Sequence, residues 1–278
     1  MNRMEFLSNK KSNKPQNKDE KEMSFLEHLE ELRMHIIRSA MYVITVAILV
    51  FIGKDYVFNN IIFGPLSKDF ITFRVLCSFG DLLCFEPPDM PIITRAMGEQ
   101  FLVHIQVSMW MGFIVAFPLV LREVWKFAAP GLYPKEKKVS KGFFWITSGL
   151  FGIGVLFGYF IMAPFAIKFL GEYSVGDFAT TSPTLSSYVG YMVMFTIPTG
   201  IVFELPVLAF FLAKLGIIGP QMMRTYRKHA IVAIAVVAAV ITPPDVITMM
   251  LIGIPIYLLY EMSIVVVQRV EKKLKKDV

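Results

Sequence analysis

Charge, cysteine and histidine are all scarce in this 278-residue chain. Charged residues make up 18% of it, against roughly a quarter in soluble domains, and 55% of the residues are hydrophobic. That balance excludes an ordinary soluble globular protein. Two Cys and four His leave little material for a zinc cluster or a haem site, so no metal or cofactor is expected. Also missing are an H-E-x-x-H pair, a G-x-S-x-G elbow, a phosphate-cradling glycine loop and paired intramembrane Asp residues, which leaves an enzymatic reading without support. The chain has instead a series of apolar runs of membrane-spanning length. At roughly 20 residues per crossing plus connections, its length accommodates about six spans in one domain.

These runs fall near residues 36–53, 101–121, 143–164, 188–213, 230–242 and 246–267. They predict an all-α polytopic membrane protein with six transmembrane helices. The fifth is short: its strictly apolar part, 230–241, reaches only about 18 Å at 1.5 Å per residue, against a hydrocarbon core of about 30 Å. By itself that run fits a re-entrant segment; the basic flank of Arg224, Arg227 and Lys228 argues for a span. Residues 1–23 are polar and Lys-rich, with no apolar run after the basic residues as a secretory signal would have, and five of their six basic residues are Lys. Such a segment cannot bury enough surface to fold alone and is expected to be a disordered cytoplasmic tail. The six-span core is expected over 24–268, followed by a basic cytoplasmic tail at 269–278.

The distribution of Lys and Arg sets the expected orientation, because cytoplasmic loops carry the excess. Residues 1–38 hold eight, 122–141 six, 214–229 four and 269–278 five; the intervening loops hold four (54–99), one (165–187) and none (243–245). Both termini are therefore predicted inside. The long loop 54–99 is predicted outside, as are 165–187 and 243–245. The basic balance of the chain follows from this asymmetry, and no nucleic-acid partner is implied. Cys77 and Cys84 share the long outside loop, which for a bacterial chain faces an oxidising compartment. Their location permits a disulfide; spacing alone does not show whether the Cα atoms come close enough.

Ser24 and Glu27 have the spacing of a capping box, so a helix is predicted to begin there. Phe25, Leu29, Leu32 and Ile36 then recur at helical spacing and lead into the first span. Opposite them stand Glu27, Glu30, Glu31, Arg33, His35 and Arg38. This is either a solvated juxtamembrane face or a carboxylate cluster awaiting a basic partner. The next cytoplasmic loop, REVWKFAAPGLYPKEKK over 122–138, carries Glu123 and Glu136 among five basic residues and reads as a connector with Trp125, Phe127 and Tyr133 as interfacial anchors. Within the fourth span Glu204 lies in IPTGIVFELPV, bracketed by Pro198 and Pro206, which are expected to bend the helix. An acid at that depth should face protein or a water-filled cavity. It serves a partner, a proton or a structural hydrogen bond. Glu261 and His104, nearer span ends, read as structural contacts.

The run SFLEHLEELRMHIIRSA, with His28, Leu29, Glu31, Leu32 and Arg33, resembles the N-terminus of TatC, the multispan subunit of the twin-arginine protein translocase. VWKFAAPGLYPKEKK resembles the first cytoplasmic loop of that family, VFELPV its fourth span around Glu204, and ITPPDV its last outside turn with Asp245. The four stand in the family's order, from about 24 to 268, on the sides assigned by charge. The resemblance implies a receptor and core subunit that binds twin-arginine signal peptides of folded precursor proteins and directs their transport, driven by the proton-motive force. It implies a bacterial cytoplasmic (inner) membrane location and no catalytic residues. The expected partners are TatA-like and TatB-like single-span subunits, twin-arginine precursors, the lipid bilayer and further copies of the chain.

By position, Glu31 and Glu136 match the carboxylates that receive the two arginines, with His28 and Arg33 in the same motif. Glu204, with Phe203 and Pro206, matches the intramembrane contact for a partner or peptide. Pro65 and Phe101 resemble positions in the outer cap and at the start of the second span, and spans 5 and 6 are expected to be short as in the family. His35 departs from the family, which often has a second basic residue there, and makes local charge pH-sensitive; Gln106 stands where Lys is common. The stretch 76–91 resembles an insertion in the cap. The alternative is a proton-coupled small-molecule transporter using Glu204.

Overall fold

The computed structural model describes residues 25–78, 80, 84, 86–128, 140–174, 176, 181–241 and 246–274. Its regular secondary structure among these residues is helical, apart from one isolated bridge, Ile93 to Thr184. Helix α1 (Phe25–Ile52) carries the predicted apolar stripe straight from its polar start into the first span. Gly53 interrupts it, and the chain continues through short α2 (Lys54–Tyr56), a π turn at Val57–Ile62, a 3-10 turn at Gly64–Leu66 and α3 (Ile71–Ser78). Then follow α4 (Glu99–Ala128), α5 (Ser140–Phe157), a π turn at Gly158–Met162 and α6 (Ala163–Glu172). The last elements are α7 (Leu185–Val202), α8 (Leu205–Lys214), α9 (Pro220–Thr225), α10 (Arg227–Ile241) and α11 (Val246–Leu274).

Close packing is bought with glycine. On α4, a Cβ added at Gly112 would stand 2.8 Å from the Ala47 Cβ and 2.9 Å from the Val43 carbonyl oxygen, so the absent side chain lets α1 and α4 lie against each other. Gly154 on α5 and Gly158 at the start of the π turn, four residues apart, do the same against α7 and the turn that follows it: the added Cβ would lie 2.8 Å from Phe203 Cβ and 2.5 Å from the Phe195 carbonyl oxygen, respectively. In a membrane such small-xxx-small faces let dispersion and backbone approach replace the missing hydrophobic drive. The main core, including Val103, Val107, Met162, Tyr188, Val189 and Phe195, forms around this contact.

A helical cap closes one end. Tyr188 and Tyr159 reach up from the bundle and donate to the carbonyls of Ile62 (2.7 Å) and Ile61 (2.6 Å), and the Thr72 hydroxyl donates down to the Phe160 carbonyl. The returning strand-like segment is held by Ile93 N donating to Pro183 O (3.1 Å) and Leu185 N to Ile93 O (2.9 Å). Cys77 is disulfide-bonded to Cys84 within the cap. Nearby, Lys68 donates to Glu86 at 2.5 Å, and this ammonium holds the Glu86 carboxyl below its ordinary pKa. Pro65 is buried in the cap, whereas Phe101 is exposed.

Among the described residues, five helical stretches are long and apolar enough to cross a bilayer: Glu27–Ile52, Glu99–Phe127, Phe144–Glu172, Leu185–Lys214 and Thr248–Lys273. The short fifth sequence run is a helix of 15 residues, about 22 Å long at 1.5 Å per residue, and falls below that length. The expectation of a short sixth span is corrected: α11 has 29 residues. Its second half packs into a second apolar cluster, in which Ile264 and Val267 meet Ala209 and Ala213 of α8 and Met223 of α9, with Val270, beyond the apolar run read from sequence, packed against it. A second correction concerns 122–128. These residues are the last turns of α4 rather than a connector, and the difference matters for the site.

Candidate functional site: a carboxylate basin and a broken span

At the end of the bundle opposite the cap, α1 and α4 frame an open cavity of about 540 Å³ lined by Glu27, Glu30, Glu31, Met34, His35, Arg38 and Lys126. The helical spacing of the three Glu residues turns their carboxylates toward one opening. One oxygen of Glu31, Oε2, is buried without a hydrogen-bond partner. Beneath them sits Glu123, with no exposed surface. His35 Nδ1 donates to its Oε2 at 2.8 Å and Lys126 Nζ to its Oε1 at 2.5 Å, while Arg38 Nη1 stands 3.9 Å from Oε2. A buried carboxylate survives when charge and hydrogen bonds surround it, and here three side chains from two helices do so. Phe127 completes the junction, stacked on His28 at 4.6 Å and edge-on to His35 at 6.2 Å.

The assigned residues are thus distributed unevenly. Glu31 lines the cavity. His28 is exposed beside it through its stack on Phe127, and Arg33 is exposed and does not line the cavity. Ser24, Glu136 and Asp245 lie outside the described residues. His35, read from sequence as a departure that leaves the local charge pH-sensitive, is buried and bonded to Glu123. Glu123 itself was a connector residue by sequence; a helical reading continued through REVWKF at i, i+3 spacing would have placed it with Lys126 on one face of α4.

The second feature is the break in the fourth span. Phe203 and Glu204 form a turn between α7 and α8, where Pro206 at the start of α8 lacks a donor and Glu204 N bonds to Ile201 O at 3.0 Å. The Glu204 side chain comes near the backbone of Phe151, yet both of its carboxylate oxygens are buried without a hydrogen-bond partner. Thr147 and Ser148, one turn before Phe151 on α5, have buried hydroxyls without partners as well. Sequence reasoning passed over these two; adjacent hydroxyls in an otherwise apolar span are the signal. Phe203 packs on Phe157 at 5.5 Å, and Pro206 is buried.

Glu99 was also missed. Its Oε2 accepts from the amides of Arg95 (2.7 Å) and Ala96 (3.3 Å) and its Oε1 from Ser186 N (3.0 Å), so one carboxylate ties the starts of α4 and α7 to the cap. Glu261 and His104 take the structural roles their positions indicated. Glu261 accepts from Arg227 at 2.7 Å and Tyr257 at 3.1 Å, and the His104 ring bonds the Phe51 carbonyl at 3.0 Å. Among the described residues, no group of three or more His, Cys, Asp or Glu side chains is arranged to hold a metal ion.

Long apolar helices, glycine-mediated packing, a cap at one end and a carboxylate-lined basin at the other define a polytopic helical membrane protein. The sequence profile of the Sec-independent protein translocase protein (TatC) family matches residues 27–255, and the chain belongs to that family. It is 36% identical over 264 residues to the Sec-independent protein translocase protein TatC of Blattabacterium sp. strain BPLAN, covering 92% of this chain and 99% of that one. It is 32% identical over 256 residues to the TatC of Carboxydothermus hydrogenoformans, covering 92% and 97%. Among solved structures, the crystal structure of the twin arginine translocase receptor TatC superposes with a TM-score of 0.71 at 32% identity, over 88% of this chain and all of that one.

Proposed function

We propose that this chain is the receptor and core subunit of a twin-arginine translocase in a bacterial inner membrane, binding signal peptides of folded precursors at the cytoplasmic face and directing their transport. In this reading it crosses the membrane six times with both termini cytoplasmic, α10 serving as a short fifth span that thins the bilayer locally. Residues 1–23 and 269–278 are cytoplasmic tails of the 24–268 core. The observation that carries the reading is the carboxylate basin: Glu31 presents a buried oxygen without a partner in an acidic cavity, at the end that the Lys and Arg distribution assigns to the cytoplasm. Carboxylates recognise guanidinium forks bidentately, where an ammonium offers only a point charge.

By its match to the family's loop motif, Glu136 is the second carboxylate for the arginine pair. His28 and Arg33 shape the approach along α1. Glu204, Phe203 and Pro206 form the contact for a partner helix or inserted signal peptide, and Asp245 belongs to the last outside turn. TatA-like and TatB-like single-span subunits and further copies of the chain complete the translocase, with the proton-motive force as energy source. The test is co-purification from membranes. Precursors bearing twin-arginine signals and small single-span proteins should accompany the chain, and Lys-Lys versions of the precursors should not. Binding of a small solute with neither class of protein retained would support proton-coupled transport through Glu204 instead.

A further inference from the structure

Two cations of the chain itself already line the basin. Lys126 and Arg38 share the cavity wall with Glu27, Glu30 and Glu31, while Glu31 Oε2 goes without a hydrogen bond. What draws the cations away is Glu123, the buried carboxylate under the floor. It takes the Lys126 ammonium at 2.5 Å, stands 3.9 Å from Arg38 and is fixed from the other side by His35 at 2.8 Å. Lys126 is three residues beyond Glu123 on the same face of α4, and its side chain is 44% exposed, so only its tip is held. A lysine stem is long and flexible, and its ammonium turns freely toward whichever acceptor binds it best.

We infer that Glu123 is a positioning residue that holds Lys126 back, and that Lys126, once released, is the chain's own competitor for the recognition basin. This rests on the proposed reading of the basin as the twin-arginine site and deepens it. Neutralising Glu123 removes the acceptor that holds Lys126 and frees an ammonium at the cavity wall. A ligand with a single cation, or with two ammonium groups, then competes with Lys126 on nearly equal terms, whereas a guanidinium pair retains its bidentate geometry.

The experiment measures binding of a labelled Arg-Arg signal peptide to the full-length protein in nanodiscs, comparing the parent with Glu123→Gln, Lys126→Met, the double variant and Glu31→Gln. Glu123→Gln keeps the shape of the side chain and should weaken binding roughly tenfold, the scale of a lost charge-assisted contact. Adding Lys126→Met in that background should bring affinity back to within about threefold of the parent, and Lys126→Met alone should tighten binding by about threefold, as for removal of one exposed charge. A merely structural role for Glu123 makes no such rescue. If the double variant binds as weakly as Glu123→Gln, the inference is overturned. Should Glu123→Gln fail to fold, Lys126→Met decides alone: unchanged affinity overturns the inference. Failure of the recognition reading is visible separately, as a parent that does not bind the peptide or a Glu31→Gln variant that binds like the parent.

Discussion

Replacing Glu31 with alanine lowers the affinity of the protein for a twin-arginine peptide by roughly ten- to a hundredfold, the range expected for losing a charge-assisted hydrogen bond of about 1.5 to 3 kcal/mol. The expectation follows from the state of the side chain in the unliganded protein. Its Oε2 is buried and unbonded at the wall of an acidic cavity, so desolvation has already been met and a guanidinium N–H has an acceptor waiting. Glu136→Ala should cost a comparable factor, because both carboxylates are proposed to grip one dipeptide. Glu31→Ala and Glu136→Ala combined should then fall short of the product of the two single effects, as expected for residues that act as one site. Titration of labelled peptide against each variant reads all three numbers. Full additivity would mean two separate sites, and parent-like affinity in both single variants would remove the recognition assignment.

Glu204→Leu is expected to abolish transport, while Glu204→Gln should retain much of it. The side chain sits at the turn between α7 and α8 with both oxygens buried and unpartnered, and two unpartnered hydroxyls lie one turn from Phe151, its neighbour. A buried polar group left unsatisfied in the membrane costs on the order of several kcal/mol, and on the proposed reading a partner helix or an inserted signal peptide supplies the missing hydrogen bond. An amide meets that demand and an isobutyl group does not. Leu should therefore reduce crosslinking from α8 to a single-span partner roughly tenfold or more, on the scale of an unmet buried polar group. A proton-coupling group behaves differently, because Gln cannot titrate. Equal loss of transport in both variants, with the protein folded in the membrane, would favour the transporter mechanism.

The two features differ in how far sequence alone reveals them. The broken fourth span is visible locally, since Pro198, Glu204 and Pro206 stand within nine residues and each disturbs a helix for its own reason. The stripe that makes α1 continuous with its span is equally local. Glu123 is not, because its identity as a buried anchor depends on His35, 88 residues away, and on α4 continuing through a segment rich in charge. Composition reads REVWKF as solvated; packing of α4 on α1 makes it helix. Glu99 shows the same limit, joined to Ser186 across 87 residues. Gly112, Gly154 and Gly158 are visible as glycines but not as contacts, since only the helix pairing shows what a Cβ would strike. The packing of Ile264 and Val267 of α11 on α8 and α9 is likewise contained in no window along α11.

The central claim is that carboxylates at the open end of α1 and α4 read an arginine pair. Affinity of the unmodified protein for two peptides, identical but for Arg-Arg or Lys-Lys at the recognition dipeptide, tests it most directly. Bidentate recognition predicts that Arg-Arg binds at least about tenfold tighter at a fixed salt concentration, since both peptides carry the same charge and differ in donor geometry. Equal affinities that fall together as salt is raised would show a basin that attracts positive charge without reading the guanidinium, and would contradict the account.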